Sequence, residues 1–166
     1  MTTIHRHRFE SPTGYLHHRS PYLLIDQIDE IGDEHVTASR TIRGDEDFIT
    51  GHFPGAPVMP GAMMQEMTTQ TGGVLIAANY NPIADYRTDD PNHNPLALGV
   101  LVKIKSARYR GFARPGDCLV ATATLVARVA ATFEFVGRIT IGDQTILRNE
   151  FQLANIDTSL LRGTPQ

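Results

Sequence analysis

One cysteine, Cys118, stands in 166 residues, so no intrachain disulfide can form. Basic residues are not in excess: 15 lysines and arginines against 18 aspartates and glutamates give a net charge of -3, without the bias of a nucleic-acid binder. No stretch approaches the roughly 20 apolar residues that cross a bilayer. The opening MTTIHRHRFESPTGY lacks the continuous apolar core of a signal peptide. These absences predict a protein of the reducing cytoplasm, with neither membrane nor nucleic acid as partner. The length predicts one domain that buries roughly two thirds of its unfolded surface.

The pattern along the chain divides it into a polar arm at 1–14, a single domain at 15–156 and a frayed tail at 157–166. YLLIDQI (22–28) reads as a strand or a short helix, and EHVTASRTIR (34–43) alternates as a strand does. A helix is predicted over 60–78, opened by Pro60 and stopped by the Asn-Tyr-Asn-Pro run that begins at Asn79. It is apolar around most of its circumference, so it should be buried. Residues 79–98, rich in proline, asparagine and aspartate, read as a long loop. Four alternating segments follow, at 99–112, 117–129, 131–141 and 144–154, separated by RPGD and GD turns. In the third, Phe133, Phe135, Ile139 and Ile141 share a face opposite Glu134, Arg138 and Thr140. One buried helix with a long antiparallel sheet is an α+β fold, the sheet curled around the helix.

Within this plan GHFPGAPVMPGAMMQEMTTQ (51–70) is chemically conspicuous. Glu66 is the single formally charged residue between Gly51 and Ala84, and it lies in mid-helix, where a carboxylate is paired or functional. Helical spacing stacks Ala62, Glu66 and Gln70 on one face. VMPGAM offers no side-chain cap, which leaves the amides of Gly61 and Ala62 free for a developing oxyanion. His52 precedes a segment stiffened by three prolines, which can hold an imidazole at a fixed place as general base.

This stretch resembles the signature of the β-hydroxyacyl-acyl carrier protein dehydratases of bacterial fatty-acid synthesis: GHFPxxPxxPG, four residues, a catalytic Glu, three residues and Gln. HHRSPYLLIDQI (17–28), with its His-Arg-x-Pro, and RPGD (114–117) are similar to two further family motifs, so the resemblance spans about 15–154. It implies the hot-dog fold, with the sheet wrapped around the long helix. It also implies homodimers joined edge to edge, often grouped as hexamers, with each active site built from His52 of one protomer and Glu66 of the other. The loop 79–98 is longer than the short branch of the family carries. Glu rather than Asp at position 66 favours dehydration over dehydration with isomerisation, and Met63 and Met64 replace the branched residues common there.

The implied reaction eliminates water from a (3R)-3-hydroxyacyl thioester on the phosphopantetheine of acyl carrier protein, giving a trans-2-enoyl thioester, with no further cofactor. His52 and Glu66 are the catalytic candidates; Gly61, Ala62, Gln70, Phe53 and Pro60 are the oxyanion and substrate-contact candidates. Lys103, Lys105, Arg108, Arg110 and Arg114, in a stretch without acidic residues, are candidates for carrier contact. His5, His7, His17, His18 and His93 lack the spacing of a zinc site, so no metal is expected; His18 reads as a packing or hydrogen-bonding residue. The rival readings are a hot-dog thioesterase, an isomerising dehydratase and a non-catalytic carrier-binding subunit.

Overall fold

The chain's computed structural model describes residues 3–90 and 92–162. The first two residues of the expected arm, Pro91 in the expected loop and the last four residues of the expected tail lie outside the described residues. Two short helices, Pro12–Tyr15 (α1) and Asp47–Thr50 (α2), precede the long helix Gly61–Asn79 (α3). The strands are Gln27–Ile31 (β1), His35–Thr41 (β2), Leu96–Tyr109 (β3), Cys118–Val129 (β4), Thr132–Ile141 (β5) and Gln144–Asp157 (β6). They form one antiparallel sheet in the order β1-β2-β4-β5-β6-β3, so β3 is an edge despite its mid-chain position. The sheet packs around α3, which meets every strand from β2 to β6: the α+β hot-dog arrangement.

The helix is buried as its composition predicts: every residue from Met67 to Asn79 is inaccessible. The threonines it buries spend their hydroxyls on the helix's own carbonyls, Thr68 and Thr69 donating to Gln65 and Thr71 to Met67. Phe133, Phe135, Phe151 and Leu153 of the sheet pack on its C-terminal half, and Met59, Leu119, Ile139 and Leu147 on its N-terminal half. Each such fully buried side chain contributes roughly 1.5–3 kcal/mol. On β5, Phe133, Phe135 and Ile139 point inward as predicted, and Ile141 is half-buried.

Three differences from the sequence reading have physical causes. The run at 22–28 is neither strand nor helix before Gln27. Leu24 and Ile25 are buried in consecutive positions, in different apolar clusters, which a pleated strand with one buried face does not allow. Second, β3 begins at Leu96, three residues earlier than expected, with a bulge at Leu98 and Gly99 in which the Gly99 amide donates to Asn155 Oδ1 at 3.1 Å. Third, the segment expected as an arm lies along the end of α3: the His5 and His7 amides donate to the Asn81 and Ala78 carbonyls at 2.8 Å, and Phe9 packs edge-on against Tyr15. Among the described residues, no helix is long and apolar enough to cross a membrane.

Candidate active site

Where β3 crosses α3, both backbones approach through glycine. Gly99 has φ +69°, and a methyl group on it would stand 3.1 Å from Cα of Gly73. Beside this crossing a cavity of about 390 Å³ opens, walled by Gln70 and Gly73 of α3, by residues 96–101 of β3 and by Tyr86 of the following loop. Tyr86 is fixed there by its hydroxyl, which donates to the Tyr15 carbonyl at 2.6 Å. Most of the lining is apolar, and Glu66 enters it from the helix.

The Glu66 side chain is only 15% exposed. Burial pushes its pKa above the ordinary carboxylate range, an effect larger than the opposing hydrogen bond donated by Gln70 Nε2 to Oε1 at 3.1 Å. The neighbouring Oε1 contact is His18 Nε2 at 3.7 Å, too long for a hydrogen bond. The His17 and His18 pKa values are both lowered, by burial first, then by Arg19 on His17 and by His17 and Arg19 on His18. A carboxyl whose pKa is raised by burial, beside the His18 imidazole in an apolar cavity, has the make-up of a general acid.

His52 lies elsewhere in the chain. Its amide donates to the Ile49 carbonyl at 3.1 Å, and its own carbonyl accepts from Val58 at 2.9 Å, so residues 52–58 close into a compact loop. The Phe53 and Ala56 backbones bond reciprocally inside that loop, and the Met59 amide donates to Ala113. His52 Nδ1 lies 3.0 Å from the Val58 carbonyl oxygen. A carbonyl can only accept, so Nδ1 carries the hydrogen and the Nε2 lone pair is left free, the form a base requires. Phe53 stacks on the imidazole with ring centroids 4.2 Å apart and is itself 57% exposed. Single-chain geometry therefore brings Glu66 and Gln70 together, and leaves His52 with Phe53 outside the Glu66 cavity.

Pro60 occupies the cap position of α3 with no side-chain cap, and its carbonyl accepts from Met63 and Met64. The Gly61 and Ala62 amides have no acceptor among the described residues. Gly61 is covered by the Tyr109 ring, from which a methyl group on the glycine would stand 3.0 Å.

A family model described as the FabA-like domain matches residues 16–150. The chain belongs to that family. It is 33% identical over 144 residues to a 3-hydroxyacyl-[acyl-carrier-protein] dehydratase FabZ of Thiobacillus denitrificans, covering 85% of this chain and 92% of the relative. It is 34% identical over 137 residues to the protein of the same name from Syntrophobacter fumaroxidans, covering 82% and 86%. Among solved structures, a chain of the dehydratase heterocomplex ApeI:P from Xenorhabdus doucetiae superposes with a TM-score of 0.75 at 21% identity, over 94% of this chain and all of that one. That likeness bears on the fold.

In this FabA-like domain the five basic residues singled out on and after β3 are exposed, but the sheet does not leave them as a stretch free of acid. Lys105 pairs with Glu134 of β5, Glu150 of β6 stands opposite Ser106, and Arg114 lies over the Phe112 ring. The register instead aligns Arg108 with Arg148 and Arg148 with Arg138, a row of three exposed arginines across β3, β6 and β5. None of the three has a carboxylate partner among the described residues. Linear sequence gives no sign of this row, because its members are far apart in the chain and meet only through strand pairing. The same is true of His18: the sequence reads it as a packing or hydrogen-bonding residue, and the fold sets its Nε2 3.7 Å from Glu66 Oε1.

Proposed function

We propose that this chain is a (3R)-3-hydroxyacyl-acyl carrier protein dehydratase, a hydro-lyase of fatty-acid or related lipid biosynthesis. The observation that carries the reading is Glu66: a largely buried, Gln70-bonded carboxyl with a raised pKa in an apolar cavity. The unit at 15–156 acts as one catalytic domain of the cytoplasm, and the acyl group arrives on the phosphopantetheine of the carrier, with no further cofactor.

His52 Nε2 removes a proton from carbon 2 of the thioester. The electron pair moves toward the thioester oxygen, which becomes enolate-like and accepts hydrogen bonds from the Gly61 or Ala62 amide. Collapse of the enolate forms the double bond between carbons 2 and 3 and breaks the carbon 3–oxygen bond, and Glu66 protonates the departing hydroxyl. Solvent returns the proton from the His52 imidazolium to Glu66, so the net change is loss of one water. Steps of general acid or base catalysis contribute roughly 10²- to 10⁴-fold each, and an oxyanion donor about 10²- to 10³-fold.

Because one chain keeps His52 out of the Glu66 cavity, the two act across a homodimer, His52 of one protomer with Glu66 of the next. Support comes from β3, a 14-residue edge strand that exposes Val102, Ile104 and Tyr109. Long exposed edges of this kind are covered in native assemblies. The dimers group further as trimers of dimers. The arginine row with Arg110 takes the place of the simple basic stretch as the surface for an acidic carrier; Lys103 and Arg114 flank it.

The reverse reaction tests the reading: hydration of a trans-2-enoyl thioester, followed by loss of enoyl absorbance, for wild type, His52→Ala and Glu66→Gln. Activity in wild type that both substitutions abolish supports it. Release of free thiol without hydration would replace it with thioester hydrolysis.

A further inference from the structure

His18 comes within 3.7 Å of Glu66, and the mechanism does not use it. It stands in the irregular segment before β1, its ring stacked on Tyr22 with centroids 5.9 Å apart. Nε2 is directed at Glu66 Oε1 from 3.7 Å, and Nδ1 is buried without a hydrogen-bond partner among the described residues. The other polar groups around the carboxyl are committed elsewhere. Arg19 donates to the carbonyls of Leu16, His18 and Thr88, and His17 Nε2 contacts Asn94. Gln70 therefore bonds Oε1 of the Glu66 carboxyl, and His18 borders the same oxygen.

A glutamate needs such a border. Its last torsion is broad and nearly two-fold, so the single bond from Gln70 leaves the carboxyl free to swing, while a general acid must present its proton to one place. An imidazole packed beside Oε1 limits that swing and leaves Oε2, which has no hydrogen-bond partner among the described residues, to carry the proton. Burial favours the uncharged form of both groups, in keeping with a separation longer than that of a charge-assisted bond.

We propose that His18 is a positioning residue for Glu66, holding the orientation of its carboxyl by the contact at Nε2. The inference rests on the dehydratase reading, which assigns Glu66 the role of acid. The titratable groups facing the pair are Tyr22, His17 and Arg19, all from the same segment as His18.

The test uses the full chain, with His18→Phe and His18→Gln assayed for hydration of a trans-2-butenoyl thioester across pH. Loss of a residue that orients a catalytic group costs on the order of 10- to 100-fold. That loss is expected in kcat for His18→Phe, with KM nearly unchanged. His18→Gln, whose amide reaches the place of Nε2, should recover much of the rate. An unchanged kcat in folded His18→Phe, or a defect confined to KM, overturns the proposal. If His18→Phe does not fold, nitrogen NMR of wild type and Glu66→Gln decides: a His18 Nε2 resonance that responds to Glu66→Gln supports the coupling, and one that does not overturns it. An inactive wild type sinks the dehydratase reading instead, and the NMR comparison, which needs no turnover, still judges the pairing.

Discussion

Gln70 and Glu66 are joined by a side-chain hydrogen bond of 3.1 Å, and the orientation of the Gln70 amide is dictated by what lies on its other sides. Its Oε1 accepts from the Leu24 amide at 2.8 Å, and Nε2 also donates to the Tyr22 carbonyl at 2.8 Å. A flipped amide would set donor against donor at Leu24, so the nitrogen must face Glu66. Gln70→Ala removes the restraint on Glu66 and leaves the buried Leu24 amide and the partly buried Tyr22 carbonyl unpaired, each worth up to roughly 1–3 kcal/mol. The expected outcome is a stability loss of about 2–4 kcal/mol in urea unfolding, together with a lower kcat. Unchanged stability would mean that the segment does not depend on this side chain.

Glu66 gives a pH dependence whose sign is fixed. Its folded pKa is raised by burial, so burial is best tolerated when the group is protonated, and its contribution to stability is lost as pH rises through the folded value. Glu66→Gln is therefore expected to be more stable than wild type at neutral and alkaline pH, with the advantage closing as pH falls toward the value of an ordinary glutamate. Wild-type dehydration should decline over the same rise in pH, because only the protonated acid serves the leaving hydroxyl. Urea unfolding of both proteins at several pH values measures the first effect. A difference independent of pH would show that Glu66 does not change charge there.

Sequence pattern located most of this architecture because its signals are local. The apolar, proline-opened helix, the alternation on β5 and the lone carboxylate each follow from residues close together in the chain. What escaped depends on side chains that meet across long separations. Leu24 and Ile25 look like part of a strand, but the Leu24 amide is satisfied by Gln70, 46 residues away. His18 meets Glu66 only where its segment packs on α3, and Arg108, Arg138 and Arg148 align only through strand pairing. The buried network in which Asn149 donates to Gln65 and Thr68 was unreadable for the same reason. His52 is the opposite case: its loop and its hydrogen-bonded tautomer are local, and the fold keeps it apart from the residue with which the motif couples it.

Gly99 links stability to the shape of the cavity. In Gly99→Ala the left-handed conformation at φ +69° costs roughly 1–2 kcal/mol, and the new methyl group presses on Gly73. Because this crossing borders the cavity, the backbone shift that relieves the contact also moves its wall. Lower stability is expected, with KM raised more for long acyl thioesters than for a four-carbon one. Equal effects on both substrates would show that the acyl chain does not pass the crossing.

Two inactive variants together test where the catalytic pair is assembled. In a site shared between protomers, a dimer of one His52→Ala chain and one Glu66→Gln chain has one site missing both groups and one site missing neither. Random reassociation of equal amounts makes half of the dimers mixed, so about a quarter of wild-type activity should return on mixing after dissociation. Neither variant alone can regain activity in this way, and a control mixed without dissociation should stay inactive until subunits exchange. Activity that does not return, although mixed dimers are demonstrated by mass, would place His52 and Glu66 in the same protomer and require the 52–58 loop to move toward the Glu66 cavity.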